Sequence, residues 1–167
     1  MTPLEVAGNV FVLASVYLAR RNSVHTWWTG MIGVTLYAVL FFGAKLYADV
    51  VLQVFFVGTA IVGWWQWQRG GNGGAELPIS TLSVRHRVVA AGAVLGAAVF
   101  FGTVFSQFTD AALPYADSYI LGGSVVAQLL MMRRKIDHWP IWITVDVVAV
   151  GVYSAKALYL TAAVYFV

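Results

Sequence analysis

The chain has 167 residues, of which 60% are hydrophobic and only 10% charged, with a mean hydropathy of +0.79 and a formal charge of +3. Soluble domains are about 25% charged, so the composition excludes an ordinary soluble enzyme and points to one integral membrane domain. With no cysteine, disulfide and thiol chemistry are excluded as well.

The N-terminal stretch does not read as a removable leader. Glu5 stands where a basic region would precede the apolar run, and Arg20 and Arg21 follow that run. A crossing helix needs about 20 mostly apolar residues. Spans are predicted near 4–19, 24–44, 47–67, 88–106, 118–132 and 139–157, and a further apolar run starts at Leu158. The polar connection over 68–87 is rich in Gly, Asn and Pro and reads as a flexible loop. A second break, "TDAALPYADS", holds Asp110, Pro114 and Asp117.

The charges orient these spans. Arg20, Arg21, Arg69, Arg85, Arg87, Arg133, Arg134 and Lys135 fall on one side of an alternating topology, and only Lys45 and Lys156 on the other. Positive loops stay cytoplasmic, which places the N-terminus outside.

The chain also repeats itself. "AKLYADVVLQ" aligns with "KALYLTAAVY" at an offset of 112 residues, and a Trp-rich segment precedes each, "TWWTG" and "HWPIW". Equal orientation of the two copies requires three helices, one joining helix and three more, a parallel repeat. Repeat one covers about 4–67, the joining helix about 88–106 and repeat two about 118–167. On this scheme the seventh helix is cut short, because the chain ends at Val167.

Three helices each carry one polar and aromatic stripe. At about 100° per residue, Trp139, Trp142, Asp146, Tyr153 and Lys156 share an arc of about 100° on span six. Asp49, Gln53, Phe56, Trp64 and Trp67 share one on span three, and Asp117, Ser124 and Gln128 one on span five. Ionisable groups at membrane depth normally face a bundle interior or a wet cavity, so the stripes are expected to line one cavity. Plainer roles compete. Trp64 and Trp67 fit an interfacial belt, Lys45 and Lys156 fit snorkelling, and Ser124 fits helix contact beside Gly122 and Gly123. Asp146 is hardest to explain that way, being about two turns into its helix. His25, His86 and His138 have no metal-ligand spacing, no motif for covalent catalysis is present, and the basic residues fringe the spans rather than form a nucleic-acid surface.

"WWTGMIGVTLYAVLFFGAKLYADVVLQVFFVGTAIVGWWQWQRG" and "MMRRKIDHWPIWITVDVVAVGVYSAKALYLTAAVYF" resemble the Pnu family of vitamin transporters. The resemblance implies an all-α, three-one-three bundle related to SWEET-type sugar transporters, assembled as trimers in the bacterial inner membrane. It implies no enzyme activity and no cofactor. The implied function is facilitated diffusion of an unphosphorylated vitamin, trapped by phosphorylation inside the cell. Nicotinamide riboside is the first expected substrate and thiamine the second. Carried over residue by residue, Trp139, Trp142, Asp146 and Tyr153 match the family's binding helix, and Gln53 and Gln128 match polar positions on facing helices. Trp28, Asp49, Trp64, Trp67, Ser124 and Lys156 are further expected lining. The family's nicotinamide riboside branch often has Asn where this chain has Asp146. Two other classes stand beside this reading. One is a proton-coupled symporter using Asp146 and Lys156, and the other a non-transporting membrane subunit.

Overall fold

The computed structural model describes residues 3–43, 47–70, 77–109 and 112–155, with backbone alone at 47–49, 51 and 153. The described residues form six helices: α1 (Pro3–Arg20), α2 (His25–Gly43), α3 (Tyr47–Arg69), α4 (Val84–Phe108), α5 (Pro114–Met132) and α6 (His138–Ala155). They contain no strand, only an isolated bridge between Ser80 and Lys135. The described residues are therefore all-α, as the apolar runs and the family resemblance lead one to expect.

Helix starts differ most from expectation in the second half. α4 begins at Val84 because the Ser83 side chain caps it, accepting from the His86 N–H. Arg85, His86 and Arg87 thus ride on its first turn instead of lying in a loop. α5 begins at Pro114, a residue suited to a first helical position because its missing N–H has no helical partner to lose. Among the described helices, α2 and α4 are each long and apolar enough to cross a membrane. α4 leaves Val88, Val99 and Phe100 largely exposed, an apolar surface that suits lipid.

The chain divides into two compact units, Met1–Pro78 and Ile79–Val167. In the first, α1 packs on α2 and α2 on α3; in the second, α4 packs on α5 and α5 on α6. Close approach depends on glycine. A Cβ on Gly33 would lie 2.8 Å from Val12 Cγ2, and one on Gly123 only 2.4 Å from Val145 Cγ2.

The α1–α2 and α5–α6 turns share one hydrogen-bond pattern. In the first, Asn22 N donates to Ala19 O, Ser23 N to Leu18 O, Thr26 N to Ser23 O and Trp27 N to Val24 O. In the second, Arg134 N donates to Met131 O, Lys135 N to Leu130 O, His138 N to Lys135 O and Trp139 N to Ile136 O. Every donor and acceptor is displaced by 112 positions, the offset of the sequence repeat. Among the described non-glycine residues, Asn22 and Arg134 alone have positive φ, 52° and 50°, and they are the same position of the two turns. Such a left-handed residue after a helix lets the following N–H groups reach back to the last carbonyls.

Candidate functional site

The second unit gathers the polar stripes of α5 and α6. α6 packs through Val145, Ala149 and Val152, all buried. Val145 seats against Gly123 of α5, and the Tyr119 hydroxyl donates to Thr144 Oγ1 at 2.8 Å. Trp139, Trp142 and Asp146 lie about 60–120° round the helix from Val145. They are half-buried, whereas Ile143 and Val147, farther round, are exposed. The stripe therefore flanks the packed face and is not consumed by it.

On α5, Gly122 meets Ala97 of α4 while Gly123 meets α6. Asp117, Ser124 and Gln128 point roughly opposite to the mean of those two contacts. Ser124 and Gln128 are buried and Asp117 is half-buried. The Gly123–Val145 contact also sets the register, since Ser124 follows Gly123 as Asp146 follows Val145. Because the two helices run in opposite directions, those single steps lead opposite ways, and the two polar groups lie about 3 Å apart in depth. Because α5 and α6 run antiparallel, their rotation senses oppose. Both stripes consequently emerge on the same side of the α5–α6 pair, the side away from α4. Side chains of that type on that surface offer an aromatic wall, a carboxylate and hydrogen-bonding groups of both polarities.

The α3 stripe behaves differently. Trp67 was expected to line a cavity, but it is 5% exposed and packs edge-on to Trp27 of α2, with ring centroids 5.2 Å apart. Gly63 explains this, because a Cβ there would lie 2.5 Å from the Trp27 ring. The α2-facing side of α3 is thus set at Gly63, and Phe56 and Trp67 fall within about 40° of it. Gln53, half-buried, and Trp64, exposed, are turned about 80–100° away and keep freer surfaces. Trp28 is exposed and donates its indole N–H to His25 Nδ1 at 2.8 Å, one turn back on its own helix. The side chains of Asp49 and Tyr153 and all of Lys156 lie outside the described residues, as do Lys45 and the expected seventh helix. Among the described residues, no group of His, Cys, Asp and Glu is placed to hold a metal.

Sequence reasoning missed the polar clamp at the basic end of this unit. Arg87 Nε meets Asp137 Oδ1 at 2.6 Å, and the Leu82 N–H donates to Asp137 Oδ2 at 2.7 Å. Burial pushes the Asp137 carboxyl up. The Leu82 N–H and the bond and charge of Arg87 outweigh that and hold it below its ordinary value. The partners are separated by 50 and 55 positions, and nothing in local pattern links them.

Comparison with known proteins agrees with this architecture. Residues 2–167 match the family described as Nicotinamide mononucleotide transporter. The chain is 29% identical to the nicotinamide riboside transporter PnuC of Escherichia coli (strain K12), over 93% of this chain and 76% of that protein. It is also 29% identical to the riboflavin/roseoflavin transporter RibM of Streptomyces davaonensis, over 98% of this chain and 78% of that protein. A crystal structure of the vitamin B3 transporter PnuC shares the fold, with a TM-score of 0.74 at 23% identity, covering 97% of this chain and 75% of that one.

Proposed function

This chain belongs to the nicotinamide mononucleotide transporter family, and we propose that it carries a small unphosphorylated vitamin, nicotinamide riboside first, across the bacterial inner membrane. Members of this family are membrane transporters, so the chain is not an enzyme. The transport mode we assign is facilitated diffusion, with phosphorylation inside the cell trapping the product. The observation that carries the reading is the shared exit of the α5 and α6 stripes, with Asp146 within about 3 Å in depth of Ser124 and Trp142 one turn from it. Nicotinamide riboside combines a flat pyridinium cation with a hydroxyl-rich ribose. A cation over a tryptophan face gains about 0.5–2 kcal/mol, and a carboxylate beside it serves either the ring charge or the hydroxyls.

The three-one-three arrangement belongs to the same proposal. It is supported by the recurrence of turn hydrogen bonds and of the left-handed residue at an offset of 112 positions. An outside N-terminus, supported by the one-sided arginines, and a homotrimer complete the reading. Riboflavin is the second reading, favoured by the RibM relative at equal identity, and thiamine, another flat cation, is the third.

Calorimetric titration of wild type and Asp146→Asn with nicotinamide riboside, thiamine, riboflavin and a neutral nucleoside tests this. If Asp146 faces a cation, the variant weakens binding of the two cations and spares the neutral ligands, because charge pairs are less screened away from water. An equal loss for cationic and neutral ligands removes the charge-pairing role. No binding of any of the four by folded wild type overturns the vitamin reading.

A further inference from the structure

The segment before α4 is strapped onto the α5–α6 turn. Ser80 N donates to Arg134 O at 3.1 Å and Ile136 N to Ser80 O at 3.0 Å. Lys135 Nζ adds a bond to Ser80 Oγ at 2.7 Å, and Asp137 ties in Leu82 and Arg87 as described. Beneath this strap lies an open cavity of about 250 Å3. Its walls carry three side chains able to bear positive charge, His86, Arg133 and Lys135, and two hydroxyls, Thr81 and Ser83, with Leu82 and Leu130 supplying the apolar part of the lining. No carboxylate lines it, and the nearest acid in sequence, Asp137, is already committed to Arg87 and Leu82.

We propose that this cavity binds a phosphate-class anion. A phosphate group accepts several hydrogen bonds at once, and the lining residues offer a guanidinium, an ammonium, an imidazole and two hydroxyls to meet that demand. Arg133 is the principal ligand: it is exposed, and its side chain holds no ion pair among the described residues. Its planar fork suits phosphate oxygens bidentately. The Ser83 hydroxyl is 2.7 Å from His86 Nδ1, which fixes the imidazole and leaves its Nε2 for the anion. The repeat supplies a built-in contrast. Arg21 is the counterpart of Arg133, yet its guanidinium bonds the Tyr17 hydroxyl at 2.8 Å and sits 5.8 Å from that ring. The phosphate belongs either to an anionic phospholipid headgroup, which basic pockets at membrane surfaces commonly recruit, or to a soluble phosphomonoester. The site does not depend on which vitamin is carried.

Two arms distinguish the sources. In one, the full chain in nanodiscs of mixed phosphatidylglycerol and phosphatidylcholine is assayed for retained lipid by native mass spectrometry. In the other, the detergent-purified chain is titrated with inorganic phosphate and with glycerol phosphate, followed by thermal shift. Arg133→Gln is expected to lower binding by about tenfold or more in the arm that responds, through the loss of its charge-assisted contact, while Arg21→Gln leaves it unchanged. His86→Gln gives a smaller loss in the same arm. Retention of phosphatidylglycerol alone identifies the headgroup, and a response to the soluble anions identifies the phosphomonoester. Absence of binding in both arms, or equal effects of Arg133→Gln and Arg21→Gln, overturns the site. Arg133→Gln removes no described side-chain bond, so it stays informative if His86→Gln fails to fold.

Discussion

Trp27 and Trp139 occupy one position of the two turns, each donating its backbone N–H three residues back in the same pattern. Their side chains have opposite fates. Trp27 is 2% exposed, wedged between Gly63 and Trp67 of α3. Trp139 is half-buried, stacked at a tilt on His138 with centroids 4.8 Å apart, and heads a stripe that continues to Trp142 and Asp146. Two turns with one hydrogen-bond pattern thus give one tryptophan to packing and leave the other beside a polar surface. The difference rests on the neighbour, since only a glycine facing the ring makes room for it. At this one position the second unit keeps indole surface free and the first does not, although Trp28, Trp64 and Trp65 stay exposed elsewhere in the first unit.

The largest test of this contrast is Trp27→Ala. It should destabilise the protein by about 3–5 kcal/mol through the cavity left against Gly63 and Trp67, read by unfolding in detergent. Trp139→Ala should cost far less stability. Equal losses would end the assignment of different jobs to the two residues.

Next in size are the two glycine contacts. Gly33→Ala and Gly123→Ala should each cost about 1–3 kcal/mol from overpacking. They should differ in rescue. The obstacle to Gly123 is the Val145 side chain, so adding Val145→Ala should restore much of the loss. The obstacle to Gly33 includes the Val12 backbone N, 3.1 Å from the added carbon, so Val12→Ala should restore little. Rescue at both sites, or neither, in the same unfolding assay would contradict the packing described.

The six helices were legible because each is built on a largely apolar run bounded by polar or turn-forming residues. The starts of α4 and α5 were not, because Ser83 and Pro114 act through local capping and not through hydrophobic pattern, whereas the other four starts fall within one residue of expectation. On α6, Trp142 and Asp146 stand out in the sequence among Ile, Val and Ala, and the packed Val145 face lies elsewhere on the wheel. The α3 stripe misled. A wheel gives angles but not neighbours, and Phe56 and Trp67 share their angle with Gly63, where α2 sits. The repeat offset was visible in Leu46–Tyr47 and Leu158–Tyr159. Its best support instead comes from turns where Asn22 corresponds in position to Arg134 and His25 to Asp137, residues with no chemical likeness.

A third test probes the free surface directly. Trp142→Ala should weaken vitamin binding by about 1–3 kcal/mol through lost stacking and a lost cation–π contact, with little change in unfolding. The same substitution at exposed Trp65, which lies under the Arg69 guanidinium at 5.3 Å, should leave affinity alone. An unchanged dissociation constant in folded Trp142→Ala would assign that tryptophan to an interfacial belt.

The smallest expected effect concerns the strap, which is known only for the second turn. Asp137 stands where the first turn has exposed His25, and its side chain is 13% exposed while that of Arg87 is 53% exposed. Solvent therefore screens the ion pair, and Asp137→Asn should cost only about 1 kcal/mol at neutral pH. The pH dependence follows from the direction of the shift. The Asp137 carboxyl is held below its ordinary value of 3.8, so the folded protein binds this proton less readily than the unfolded chain does. The contribution is complete above the unfolded value and fades as pH falls through the folded one. Unfolding in detergent should separate wild type from Asp137→Asn at about pH 7 and bring them together near about pH 2. His25→Asn, at the matching place in the first turn, should show no such carboxylate-linked convergence. A gap of equal size at both pH values would mean that Asp137 holds the strap by shape and not by charge.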